Sequence, residues 1–291
     1  MATKTKSEKE EQKQPETAIT TVDAPGALTE FDFGDDDGAG FEHQTGADYS
    51  IPFLVMLQAL SPQVTKRVHP LALPGNMYNT VTETYYDGLK GVLFVPGTTR
   101  RMFARWVPRD EGGGFRGQLT PEDPIVLKSI EDSKKFGKYL TPDNENEGKM
   151  LQLVETIYVY GAVCDEENGT NGMALIAFTS TKLANYKTWN TRMRNLEIPR
   201  ASLRPIKPPM WANITRITGD LEHNKKNQEF YVYKMSPGDP RGMLQSLLRP
   251  DDPRFQLAKQ CAELVGSGRA KVDYSKSGGD EDDGAAKAVP F

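Results

Sequence analysis

Between residues 50 and 270 the apolar side chains gather in short runs broken by Gly, Pro, Asn and Asp, the signature of strands and tight turns. The first is "YSIPFLVMLQALSP", with Ile51, Phe53, Leu54, Met56, Leu57 and Leu60. "NMYNTVTETYY", "GVLFVPG" and "RMFARWVP" follow as strands rich in Thr, Val and aromatic residues, the last two separated at Pro96-Gly97. "PRDEGGGFRG" predicts a flexible glycine-rich loop, and residues 120–148 a polar excursion. "LQLVETIYVYGAV" and "GMALIAFTS" flank "CDEENGTNG", whose Asn-Gly pairs predict a hairpin. "PPMWANITRITG" and "QEFYVYKMS" return to strand pattern, with Lys225, Lys226 and Asn227 in the turn between them.

Two stretches carry a helical period instead. In "TKLANYKTWNTRMRNL" the positions Leu183, Tyr186, Trp189 (or Thr188) and Met193 share a face. In "DDPRFQLAKQCAELVGSG", Asp252 is a cap, Pro253 opens the first turn, and Phe255, Ala258, Cys261, Leu264 and Val265 form the buried stripe before Gly266. The result is a mainly β (α+β) domain with a few peripheral helices over 49–270. It lies between two arms, 1–48 and 271–291, too polar and acidic to fold alone.

Charge sharpens this picture. The net charge of −4 over 291 residues hides a division, because residues 1–48 carry four lysines against twelve acids, net −8. Residues 181–216 carry eight bases against the single acid Glu197, net +7. Acidic ends thus flank a basic middle, and one acid among eight bases points to a polyanion-binding surface.

The chain shows no phosphate loop, dinucleotide fingerprint or nucleophile elbow, and Gly112–Gly114 make only a weak phosphate cradle. His43, His69 and His223 are scattered, and Cys164 and Cys261 alone do not make a zinc site. The expectation is a protein without catalytic residues, cofactor or metal. With no apolar leader and no run of about 18 apolar residues, the expected setting is cytoplasmic, away from membranes, with reduced thiols.

Basic residues interleaved with aromatics are the positive signal. In "GTTRRMFARWVPR", Arg101, Phe103 and Arg105 share one strand face, Trp106 lies on the other, and Arg109 follows. The second cluster sets Tyr186, Trp189 and Trp211 among Lys187, Arg192, Arg194, Arg200, Arg204 and Lys207. "EFYVYK", with Tyr231, Tyr233 and Lys234, is a weaker third. Cations that hold phosphates beside rings that stack on bases suit single-stranded nucleic acid. Each tryptophan is as readily a core residue as a stacking one. An OB-like β-barrel, which binds single strands on an open sheet face, accommodates these strands.

The chain ends "GGDEDDGAAKAVPF". Asp280, Glu281, Asp282 and Asp283 precede an apolar tip at Pro290 and Phe291. This resembles the C-terminal tail of bacterial single-stranded DNA-binding proteins and of phage replication counterparts, although Gly284 to Ala288, with Lys287, intervene here. "IPFLVMLQALSPQV", "GNMYNTVTETYYDG" and "RWVPRDEGGGFRG" resemble a group of tailed-phage proteins described as DNA-binding. The resemblance implies a phage single-stranded DNA-binding protein of replication or recombination, in the host cytoplasm. Its tail would recruit replication or recombination proteins, and a homodimer is possible. A virion or assembly protein with a basic DNA- or subunit-facing surface, and a single-strand annealing protein, are the alternatives.

Overall fold

Among the described residues, regular structure follows the apolar signal. In the computed structural model the residues described are Gly40, 50–108, 111–136, 139–164, 169–201, 203–224, 227–270 and 272–274. The arm expected over 1–48 (Gly40 apart), the tail from 275 to Phe291, Arg109, Lys225 and Lys226 lie outside them.

Strand β1 (Leu54–Met56) leads through a short helix, α1 (Pro62–Thr65), to β2 (Met77–Asn79) and β3 (Tyr85–Tyr86). Then come β4 (Val92–Trp106), β5 (Phe115–Leu119), α2 (Pro124–Phe136), β6 (Leu140–Pro142), β7 (Met150–Cys164) and β8 (Thr170–Thr179). They are followed by α3 (Lys182–Arg194), β9 (Ile198–Arg200), β10 (Leu203–Ile206), a 3-10 turn at Met210–Ala212, β11 (Thr215–His223), β12 (Glu229–Pro237) and α4 (Pro253–Gly266). The described chain is therefore mainly β, with antiparallel sheets and four helices.

The large sheet runs β12-β11-β4-β7-β6, with β5 also on β4 and β8 also on β7. Its spine is the β4–β7 pair, fifteen residues each. The two strands expected on either side of Pro96-Gly97 are one. Pro96 pairs with Gly161 and Thr98 with Tyr160, so Gly97 is the extra residue of a bulge. A bulge tolerates the missing proline N–H, and the strand resumes beyond it. The glycines also set the packing above. A Cβ on Gly97 would stand 2.3 Å from the carbonyl oxygen of Ala258 in α4, and one on Gly161 would stand 2.1 Å from that of Val95. The helix can lie on the sheet only because Gly97 has no side chain, whereas Gly161 lets β7 close on Val95 and the Phe94 ring of β4.

Alternation divides the core. Val92, Phe94, Ile157, Val159, Ile176, Phe178 and Ile217 face α3, together with Leu54 and Met56 of β1. Leu93, Val95, Ala162 and Cys164, with Tyr158, Tyr160 and Leu175, face the opposite way, toward Ala258, Cys261 and Val265 of α4. This last helix matches its expected signals. Asp252 caps it, accepting from the Arg254 amide at 2.9 Å, and Phe255, Ala258, Cys261 and Val265 are buried. The excursion at 120–148 holds an unforeseen helix, α2, whose Val126 and Ile130 seal Phe103 and Leu153. Its pattern is blurred because Ile125 and Leu127 are exposed.

The small β1-β2-β3 sheet spans the gap between the two sides of the large one. Phe53 makes a parallel bridge to Leu175 of β8. On the other side, the Tyr233 hydroxyl of β12 accepts from the Met56 amide and donates to the Leu54 carbonyl, both at 2.9 Å. Backbone pairing thus joins β1 to β8, and a side chain joins it to β12. At the other end of the chain, the hydroxyls of Tyr274 and Tyr160 meet at 2.8 Å, which anchors the C-terminal segment on the α4 side.

Candidate nucleic-acid interface

Helix α3 sorts its residues by period. Lys182, Tyr186, Trp189 and Met193 are buried, while Lys187, Arg192 and Arg194 are exposed, Arg192 at the flank beside Trp189. The chain then leaves the body as the β9–β10 hairpin, whose two strands pair only with each other. Arg200, Arg204 and Lys207 are exposed on it or just beyond it. Arg200 donates through Nε and one terminal nitrogen to the Arg204 carbonyl, at 3.2 and 3.1 Å, fixing one guanidinium across the hairpin. Lys207 lies 3.8 Å from Glu197, the segment's only acid. Exposed basic side chains thus recur along the chain from α3 through the hairpin.

The aromatics expected beside them point elsewhere. Tyr186 packs at 5.4 Å from the ring of Phe178, and burial pushes its phenol pKa up. The Trp189 indole N–H donates to the Thr215 hydroxyl at 3.2 Å. Trp211 is half-buried against the cluster of Leu93, Ile214 and Ala258. Phe103 lies under α2, and Trp106, 7% exposed, meets Phe115 edge-on at 5.2 Å. Tyr233 is buried as well. The stacking platform foreseen for Phe103, Trp106, Tyr186 and Trp189 is not on the surface: on α3 the helical period turns Tyr186 and Trp189 into the core, whereas Phe103 shares a strand face with Arg101 and Arg105 and is buried because α2 covers it.

The β4 cations are dispersed. Arg101 pairs with Glu155 at 3.3 Å. Arg105 shares the strand face expected from alternation but is half-buried, and its Nε has no partner. Arg109 and the tail residues Asp280, Glu281, Asp282, Asp283, Pro290 and Phe291 lie outside the described residues.

Two features escaped the sequence reading. An open groove of about 560 Å³ runs between the loop after β12 and the start of α4. Its charges neutralise one another: Arg254 meets Asp252 at 2.7 Å, and Arg249 meets Asp251 at 3.4 Å. Near it, the Arg241 guanidinium holds the Asp239 carboxyl down at about 2. The second feature is a slot of about 60 Å³ beneath Arg192, lined by Trp189 and Asn213 among others. No sequence signal marks it, because its walls come from α3, β11 and the end of β12. Among the described residues no cluster of His, Cys, Asp or Glu could hold a metal ion, and no helix is long and apolar enough to cross a membrane.

A protein-family model described as "Pam3 phage gp34-like protein" matches residues 20–271. The chain belongs to this phage protein family. The matched range takes in every strand and helix described above, and the Asp/Glu run and Phe291 lie outside it. No curated protein and no solved structure matches the chain.

Proposed function

We propose that this phage protein binds single-stranded DNA without strong sequence preference and is not an enzyme. The observation that carries this reading is the exposed run of Lys187, Arg192, Arg194, Arg200, Arg204 and Lys207 on α3 and the β9–β10 hairpin, opposed by one acid. Such a surface neutralises phosphates and releases their counterions, so affinity falls steeply with salt. With the neighbouring rings buried, phosphate contacts rather than base stacking dominate. Support for a single strand over a duplex comes from the tail, whose acidic run and Pro-Phe tip resemble those of single-stranded DNA-binding proteins.

In this reading the acidic tail recruits replication or recombination proteins. Phe291 fills an apolar pocket on the partner, and its terminal carboxylate meets a cation there. The protein acts in the host cytoplasm. We read the curled sheet, with β1 between β8 and β12, as an OB-like barrel; the Phe53–Leu175 bridge and the Tyr233 hydroxyl bonds favour that reading.

Fluorescently labelled oligonucleotides titrated at two salt concentrations provide the test. Salt-independent binding, or preference for a duplex of equal length, sinks the proposal. Removal of Val289 to Phe291 leaves DNA affinity intact and abolishes capture of the replication partner.

One observation favours a second reading, an assembly protein of the virion. Leu203 and Ile206 are exposed on the basic hairpin, at 62% and 42%, as expected of an arm that docks on another subunit. Stoichiometric copurification with particles selects that reading over replication.

A further inference from the structure

The rings foreseen as a stacking platform are buried, yet one aromatic stack does reach the surface. Strands β2 and β3 set Tyr78 opposite Tyr85, and the two rings meet at 4.8 Å, tilted by 41°. On Tyr85 lies the imidazole of His69, parallel to within 4° and 4.6 Å away between centroids. The series rises from core to water: Tyr78 is buried, Tyr85 half-buried and His69 exposed.

The loop between α1 and β2 holds this last ring still. The Leu71 amide donates to His69 Nδ1 at 3.0 Å, and the Ala72 amide donates to the His69 carbonyl at 2.9 Å. Buried Asn76 secures the same loop from below. Its side-chain nitrogen donates to the Leu71 carbonyl at 3.0 Å, and its side-chain oxygen accepts from the Gly88 amide at 2.8 Å. With Nδ1 an acceptor, the neutral imidazole carries its proton on Nε2. His69 is thus a pre-oriented plate that loses little freedom when a flat ligand settles on it. Val68 and Leu73, 57% and 54% exposed, add apolar surface on either side of it in the chain.

Neighbouring charge narrows the ligand. Lys66 and Arg67, both exposed, precede the ring by three and two residues. Burial first, and then the nearby Glu83 carboxylate, push the Tyr78 phenol up. With a carboxylate this near, phosphate attraction alone is weak, and the ring has to supply the contact. A nucleotide brings both a flat base and a phosphate.

We propose that His69 is a stacking site for one base of a bound single strand, with Lys66 and Arg67 holding an adjoining phosphate. The inference rests on the DNA-binding reading and deepens it, for it supplies a base contact that the buried Phe103, Trp106, Tyr186 and Trp189 do not. Stacking on the face of a ring reads no hydrogen-bonding edge, so the site accepts any base.

The test compares oligo-dT with an abasic strand of the same length, which keeps the phosphates and lacks the bases. At one salt concentration the intact protein binds oligo-dT about 5-fold or more tightly, the lower end for one base–aromatic stack. His69→Ala loses about that factor on oligo-dT and nothing on the abasic strand, and its salt slope is kept. His69→Phe, which restores a flat ring, regains the preference. In the intact protein oligo-dT moves the imidazole Cε1–H NMR signal of His69, and the abasic strand does not.

Equal affinity of the intact protein for the two strands refutes the site and leaves the phosphate surface standing. An affinity for oligo-dT unchanged in His69→Ala, or lowered equally for both strands, refutes it as well. If the intact protein binds neither strand, the DNA-binding reading fails and the site falls with it.

Discussion

Removing two guanidinium groups from the end of α3 should change how the affinity for single-stranded DNA depends on salt, by an amount the structure sets. Between Lys187 and Lys207 six cations are exposed; Glu197 engages Lys207, leaving five to meet phosphates. For a single strand each contact adds about −0.7 to the slope of log affinity against log salt, so five give about −3.5. Raising salt from about 50 to 200 mM then weakens binding roughly 100-fold. The double variant Arg192→Ala, Arg194→Ala retains three contacts, a slope of about −2.1 and a loss of only about 20-fold over the same range. Both residues lie in the last turn of α3, where they oppose the negative end of the helix dipole. The variant should therefore lose about 0.3–1 kcal/mol per residue, which a thermal melt separates from a binding defect. Fluorescence anisotropy at four salt concentrations measures the slope. An unchanged slope in a folded variant refutes the placement of the DNA on this surface.

Three further outcomes follow from the packing. Phe103→Ala should cost about 3–5 kcal/mol in urea denaturation, because the ring fills the cluster beneath α2; full stability with weakened DNA binding would return Phe103 to a stacking role. Burial pushes the Cys261 thiol up to about 12, so an aromatic disulfide reagent at pH 8 should react with it only as the protein unfolds; rapid labelling of native protein would contradict the packing of α4. The hydrogen bond from Arg241 depresses the Asp239 carboxyl to about 2, against 3.8 for a free group. Its stabilisation is therefore full above about pH 4 and is lost as pH falls toward about 2. Asp239→Asn should flatten that part of the acid-unfolding curve, and an identical curve would show the pair contributes nothing.

Much of the fold is legible in local chemistry. The alternation in "LQLVETIYVYGAV" and "GMALIAFTS" identifies β7 and β8, and their hairpin pairing runs from Thr156 with Thr179 to Cys164 with Thr170. Asp252, Pro253 and a three- to four-residue spacing of apolar positions mark α4 because caps and helical period act within a few residues of one another. Legibility fails where the deciding contact is distant. Pro96-Gly97 looks like a strand end, but a long partner, β7, carries β4 through it as a bulge. α2 offers a weak stripe, and its few apolar anchors matter only because Phe103 and Leu153 lie beneath them.

The candidate surface divides the same way. Sequence alone determined that the region from Lys187 to Lys207 is basic, since charge is a property of composition and needs no partner to exist. It also determined that Tyr186, Trp189 and Met193 share one helical side, because the α-helical period is local. Only the tertiary structure decided which side meets water. Phe178, Tyr233 and Thr215 close over the aromatic face of α3, so the cations face outward without the rings that sequence had set beside them. The slot beside Arg192 and Asn213 is likewise purely tertiary, for its walls are brought together from residues 189–192, 213–215 and 235–246. Charge and periodicity are written residue by residue, whereas burial is settled by whatever the rest of the chain lays on top.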